Sequence, residues 1–112
     1  MSSAPLANLK VVDLSTVLAG PNCARYLADF GAHVIKVENP HTGDSLRGMA
    51  WRDPRDGKGL WWKLVNRNKQ TIAADLKNPD DLQLIKDLID EADVLVENFR
   101  PGVLEQIGRA HV

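Results

Sequence analysis

Cysteine occurs once, at Cys23, so no disulfide forms within the chain, and a lone thiol fits a reducing compartment. No apolar run approaches the roughly 20 residues that a membrane-spanning helix requires. The opening "MSSAPLANLK" has no basic segment followed by an apolar one, so no signal peptide is expected and the cytoplasm is the expected location. Charge of one sign is lacking too. The net charge of −1 gives no global field to gather nucleic acid, and neither a nucleic-acid nor a membrane partner is expected. His33, His41 and His111 share no metal-ligand spacing, so no metal site is expected. Repeats and low-complexity tracts are missing, and 112 residues make at most one domain, taken as 1–112.

The near-neutral total conceals a division along the chain. Between residues 47 and 69, Arg47, Arg52, Arg55, Lys58, Lys63, Arg67 and Lys69 face only Asp53 and Asp56, whereas residues 70–112 are acidic. A basic segment inside a neutral chain points to local contact with an anion, or else to a solvated loop.

"LKVVDL" (9–14) and "HVIKVE" (33–38) are β-branched runs that predict buried strands. Between them, Pro21 suits a first helical position, Ala24, Leu27 and Ala28 mark one face, and Gly31 suits a left-handed C-cap. Strand, helix and strand within about 30 residues make a βαβ unit with parallel strands. "TIAADL" (71–76) and "DVLVE" (93–97) predict two more strands. Asn78, Pro79, Asp80 and Asp81 start a helix whose inward stripe is Leu82, Ile85 and Ile89, with Leu84 and Leu88 beside them. Pro101 and Gly102 open one short further turn. Residues 39–70 are irregular apart from "LWWKLV" (60–65), and the tryptophans Trp51, Trp61 and Trp62 either face a partner or pin this loop to the core. Alternating elements predict an α/β fold, a Rossmann-like parallel sheet of about four strands with flanking helices. Four strands make a small sheet, and the closing "GRAHV" carries no terminating element, so the chain reads as the opening part of something longer.

In such a sheet, ligands bind where the strands end: here Ser15 to Gly20, Glu38 and Asn39, Asp75 to Lys77, and Asn98 to Arg100. A dinucleotide is one reading, with Glu38 as the acid that meets a ribose. Against it, "STVLAGP" lacks G-x-G-x-x-G, and Val17 and Leu18 stand where glycines let a pyrophosphate touch backbone. Glu38 then serves instead as a structural acid, paired with a base of the loop.

Three segments carry a more specific signal: "GAHVIKVE" followed by "GD..R", "NRNK" followed by "DLK", and "ENFRPG". From about Leu6 to Gly108 the chain resembles the N-terminal part of a class III CoA-transferase, of the CaiB/BaiF family that includes formyl-CoA transferase, carnitine CoA-transferase and α-methylacyl-CoA racemase. The resemblance implies a coenzyme A site incomplete relative to the family's large domain. It implies CoA or acyl-CoA as substrate rather than a tightly bound cofactor, with a carboxylic acid as acceptor. Carried over residue by residue, Thr16, Val17 and Ala19 fall near the pantetheine and adenine parts. Asn39 falls where relatives often have an arginine, and Ala74 and Lys77 at the adenosine end. Asn98, Phe99 and Arg100 run along the coenzyme, and Gln106 and Ile107 close the pocket. Lys77 and Arg100 are the cations expected to meet phosphate.

Plainer roles compete with each assignment. Val17, Ala19 and Ala74 suit packing in any α/β core, Lys77 suits solvated surface, and Asn98 suits a cap on the turn after it. Asp44 and Arg47 suit a loop-fixing pair, and Cys23 suits inert packing in a first helical turn. The resemblance further implies an aspartyl covalent intermediate in the transferases and proton abstraction α to the thioester in the racemase branch. In both, the catalytic groups lie downstream of Val112. Asp13, Asp29, Asp44 and Asp75 do not align with the nucleophile, and Asp13 and Asp75 fall inside expected strands. No catalytic residue is therefore assigned, and the chain alone is expected not to turn over. Full-length relatives form interlocked homodimers, an arrangement not assumed for this segment. The acyl donor and acceptor stay open, as does transferase against racemase.

Overall fold

The computed structural model describes residues 4–106. Its strands are β1 (Lys10–Asp13), β2 (His33–Glu38), β3 (Gln70–Ala73) and β4 (Val94–Val96). The helices are α1 (Ala19–Asp29), α2 (Leu60–Val65), α3 (Pro79–Glu91) and α4 (Val103–Gln106), with a single 3-10 turn over Ser45–Gly48. The strands form one all-parallel sheet in the order β3-β2-β1-β4, the α/β architecture expected. Asp75, expected within a strand, instead lies just past β3.

Alternation along the strands sends side chains to two faces. On one face Val11 and Val34 pack with Ala24, Ala28 and Ala32 from α1 and its C-terminal turn. On the other, Val12, Leu14, Val37 and Ala74 pack with Ile85 of α3. Helices thus cover both faces, as burial of a parallel sheet requires.

Cap chemistry fixes the ends of both long helices. The Asn78 side chain accepts from the amides of Asp80 and Asp81, with Pro79 in the first helical position. At the end of α1, the amide of Ala32 donates to Leu27 and that of Gly31 to Ala28, a Schellman closure with Gly31 at φ +105°. Two details depart from expectation. α1 begins at Ala19, two residues ahead of Pro21; proline is accommodated because first-turn amides have no helical partner. Leu84 lies off the inward stripe of α3 and is exposed.

Residues 39–70 are more ordered than their glycines and prolines suggest. Arg52 and Gly59 form an antiparallel bridge, the tight turn 53–57 closes through the amide of Gly57 onto the Asp53 carbonyl, and α2 follows. Of the tryptophans, one pins the loop to the core as the second expected role requires. Trp62 is buried, with the Arg47 guanidinium 3.7 Å from its ring centroid. Trp51 is 69% exposed and meets Trp61 edge-on. Tyr26, Phe30 and Leu64, on α1, its C-cap and α2, are also exposed.

Gly20 explains the glycine in "AGP". A Cβ there would lie 2.3 Å from the buried Ser15 Cβ, so α1 sits against the end of β1 only because the side chain is missing. Gly20→Ala should destabilise the chain by about 1–3 kcal/mol in denaturant titration; an unchanged midpoint would mean that α1 shifts freely.

Candidate functional site

At the ends of the strands, beneath α1 and α2, the apolar layer gives way to buried charge. Asp13, Lys36 and Asp44 are each at most 3% exposed. The Lys36 ammonium lies 3.0 Å from Asp44 and donates to the Ser15 carbonyl at 2.9 Å. Lys69, its side chain fully enclosed, donates to Asp13 at 2.9 Å, and to the Pro21 carbonyl and the Asn66 side chain at 2.8 Å each. Burial holds the Lys69 ammonium below the usual lysine range despite the opposing pull of Asp13. The two lysines span Asp13 and Asp44 in neutral pairs, which is what permits four charges inside.

This framework sets the turn after β1. Asp13 accepts from the Ser15 amide at 2.9 Å and from the Ser15 hydroxyl. Asn98 accepts from the Thr16 amide at 3.1 Å and returns a 2.8 Å bond to the Thr16 carbonyl. Asp44 accepts from the Val17 amide at 3.1 Å, with Val17 held at φ +70°, a conformation that β-branched residues avoid. Every amide from 15 to 17 is therefore committed to a side-chain oxygen of the protein. In a phosphate cradle these donors would be free for the ligand. The missing glycines and the occupied amides agree, and the dinucleotide reading loses its central contact. Its second contact is engaged as well: the Arg47 side chain donates to both carboxylate oxygens of Glu38, at 2.9 and 2.8 Å. Burial raises the Glu38 carboxyl, but the bonds from Arg47 and the Asp44 amide outweigh it and keep it below its usual 4.5. Arg47 thus pairs with Glu38 and Asp44 with Lys36, in place of the Asp44–Arg47 pair expected from "GDSLR".

Five of the seven bases in the basic segment meet acids of the protein itself. Besides Arg47 and Lys69, Arg55 and Lys63 bind Asp53, Lys63 also binds Asp56, and Arg67 binds Asp29. The hydrogen bonds from Arg55 and Lys63 hold the Asp53 carboxyl far below the carboxylate range.

Over this framework, on the α3 side, lies a groove of about 220 Å³. Of the residues singled out from sequence, Thr16, Asn39, Ala74, Lys77 and Phe99 line it together. Leu14, Val37, Glu38, Asp75 and Leu76 complete the lining; of these, Glu38, Asp75 and Leu76 belong to the strand ends singled out from sequence, though the resemblance assigns them no contact with the coenzyme. Phe99 packs on the α3-side core, and the Lys77 ammonium stands at an exposed position. Asp75 accepts from the Lys77 amide at 2.9 Å and faces the exposed His41 at 3.7 Å. The other assigned residues do not join this lining. Val17 forms the turn behind Thr16, and Asn98 clamps that turn rather than capping the one after it. Ala19 lines a separate cleft of about 440 Å³ with Arg25 of α1 and Trp61 of α2. Arg100 is exposed before α4, Gln106 closes α4, and Ile107 lies outside the described residues. Among the described residues no three His, Cys, Asp or Glu side chains cluster to hold a metal, and no helix is long and apolar enough to cross a membrane.

Comparison with known proteins decides the lineage. The model of CoA-transferase family III matches residues 6–111. The chain belongs to that family. The succinyl-CoA–D-citramalate CoA-transferase of Chloroflexus aurantiacus is 47% identical over 104 residues, covering 93% of this chain and 26% of that protein. A formyl-CoA:oxalate CoA-transferase of Afipia carboxidovorans is 44% identical over 103 residues, covering 92% and 24%. The crystal structure of a CaiB/BaiF family protein from Brucella suis superposes with a TM-score of 0.88 at 37% identity, over 98% of this chain and 30% of that one. The chain spans about a quarter of the length of the curated family III relatives it matches.

The Glu38–Arg47 pair gives a pH signature. A carboxyl whose folded pKa lies below 4.5 contributes stability that is complete above the unfolded value and is lost as pH falls through the folded one. Denaturant midpoints should therefore fall less between about pH 5 and pH 3 for Glu38→Gln than for the native chain; parallel slopes would show that the pair does not titrate with folding.

Proposed function

We propose that this segment supplies one wall of an acyl-CoA site in a CoA-transferase, with the 220 Å³ groove receiving one end of the coenzyme. The observation that carries the reading is the convergence of Thr16, Asn39, Ala74, Lys77 and Phe99, which lie far apart in sequence, on that groove. Leu14, Val37, Ala74 and Phe99 offer an apolar slot to a ring or a pantetheine arm, and Lys77 offers a cation at its rim. Sites that enclose a drug-sized ligand run to about 300–1,000 Å³. The groove is smaller, which suits one portion of a long carrier. Among relatives the names point to succinyl-CoA and formyl-CoA as donors and to citramalate and oxalate as acceptors. We therefore assign donor and acceptor to the classes of acyl-CoA and small carboxylic acid.

In the proposed reaction an aspartate carboxylate attacks the thioester carbonyl and expels CoA thiolate, leaving a mixed anhydride. The thiolate returns to the aspartyl carbonyl, which gives an aspartyl thioester and releases the donor's carboxylate. The acceptor carboxylate then displaces the thiolate to form a second mixed anhydride, and the thiolate attacks the acceptor's acyl carbonyl, giving the new acyl-CoA and restoring the aspartate. We place that aspartate in the part of the relatives that this chain does not span. Asp13, Asp44 and Asp53 are buried in ion pairs, and a nucleophile must be approachable. Asp75 borders the groove, but its Oδ1 already accepts from the Lys77 amide.

Titration calorimetry should show CoA binding in preference to NAD, and preference for NAD would overturn the assignment. Lys77→Glu should weaken CoA binding about tenfold, with the deficit shrinking at high salt; equal affinity would remove Lys77 from the site. Incubation of the native chain with an acyl-CoA and a carboxylate should give no transfer above blank, and clear turnover would place the nucleophile among these residues.

A further inference from the structure

We infer that Asp44 is a positioning residue for the groove: its carboxylate, neutralised by Lys36, holds the Val17 turn in the conformation that sets Thr16 on the groove wall. The inference rests on the coenzyme reading for its affinity readout but has a second readout of its own. Asp44 does not itself line the groove, although its backbone amide donates at 2.9 Å to Glu38, which does. It acts through three bonds. Its Oδ1 accepts from the Val17 amide at 3.1 Å and from the Leu46 amide at 3.0 Å, and its Oδ2 meets Lys36 at 3.0 Å. The first bond fixes a β-branched residue at φ +70°, a strained conformation that persists only where neighbours impose it. The second ties the same carboxylate to the 3-10 turn over Ser45–Gly48, whose Arg47 in turn holds Glu38 on the groove wall. One buried carboxylate thus couples the β1–α1 turn to the loop after β2, and both contribute to the lining through neighbours of the residues Asp44 binds. Lys36 makes this possible, since an unpaired carboxylate at 3% exposure would be costly.

The test separates the acceptor from the charge. Two double variants are both neutral and both remove the buried lysine: Lys36→Met with Asp44→Asn keeps an oxygen for the Val17 amide, and Lys36→Met with Asp44→Leu does not. Circular dichroism establishes that each is folded, and amide hydrogen exchange by NMR reads Val17 directly. In the native chain and the Asn variant, the Val17 amide should exchange slowly and CoA affinity should agree within about threefold. In the Leu variant, Val17 protection should vanish and affinity should fall at least about tenfold, the value of one unmade buried hydrogen bond. A merely structural carboxylate would leave the two variants alike in affinity, and that result overturns the inference. If the Leu variant does not fold, the Asn variant decides: loss of its Val17 protection refutes the role of the oxygen, and retention with native affinity supports it. A native chain that protects Val17 but does not bind CoA would refute the coenzyme reading while upholding Asp44's hold on the turn.

Discussion

Four charges without water, Asp13 with Lys69 and Lys36 with Asp44, are the constraint around which the rest of this chain is arranged. A single buried charge costs several kcal/mol after relaxation, so each pair persists only if its geometry is good and its remaining donors and acceptors are met. They are met by the carbonyls of Ser15 and Pro21, the amides of Ser15, Val17 and Leu46, and the side chains of Ser15 and Asn66. The charges thereby dictate the path of the chain at the strand ends, where a glycine-rich turn would instead have left amides for a ligand. Satisfying the charges internally, together with the Asn98 clamp on Thr16, leaves the amides of residues 15 to 17 no free donor.

The same logic accounts for the long segment between β2 and β3. Glycine and proline deny it regular structure, and a surface ion pair alone is worth little. Here the ion pairs at its start are tied to a buried aromatic. The Arg47 guanidinium lies 3.7 Å from the Trp62 ring centroid and the Lys36 ammonium 5.6 Å from it. A cation over an indole face gains most when water is excluded. Within the segment Arg55 and Lys63 brace its own turn, while Arg47, Lys69 and Arg67 hold it to Glu38, Asp13 and Asp29.

The fold was legible because its signals are local. Runs of valine and isoleucine mark the strands, and Asn78–Pro79 marks the start of α3. Of the residues the resemblance names, Thr16, Asn39, Ala74, Lys77 and Phe99, which flank strand ends, meet along one groove. Ala19, Asn98 and Arg100, whose neighbours are decided by how α1 and the segment after β4 settle, lie outside that lining. The charge framework was not anticipated, although its signal was present. Lysine within "HVIKVE" and aspartate ending "VVD" are charges in strands otherwise apolar, and such residues must find partners. Which partners they take depends on a loop whose course has no periodic signature. For that reason Asp44 and Arg47 were paired with each other rather than with Lys36 and Glu38.

The Asp13–Lys69 bond joins residues 56 apart in sequence. Neither group gains from the other until the sheet between them has formed and expelled solvent, so the contact rewards a nearly finished fold rather than an early nucleus. The converse holds on opening. Were the segment carrying Lys69 to lift away on its own, Asp13 would be left uncompensated beneath α1, an excursion steep enough to tie the loop's departure to global melting. A stretch with the composition of a flexible connector is in this way made part of one cooperative unit.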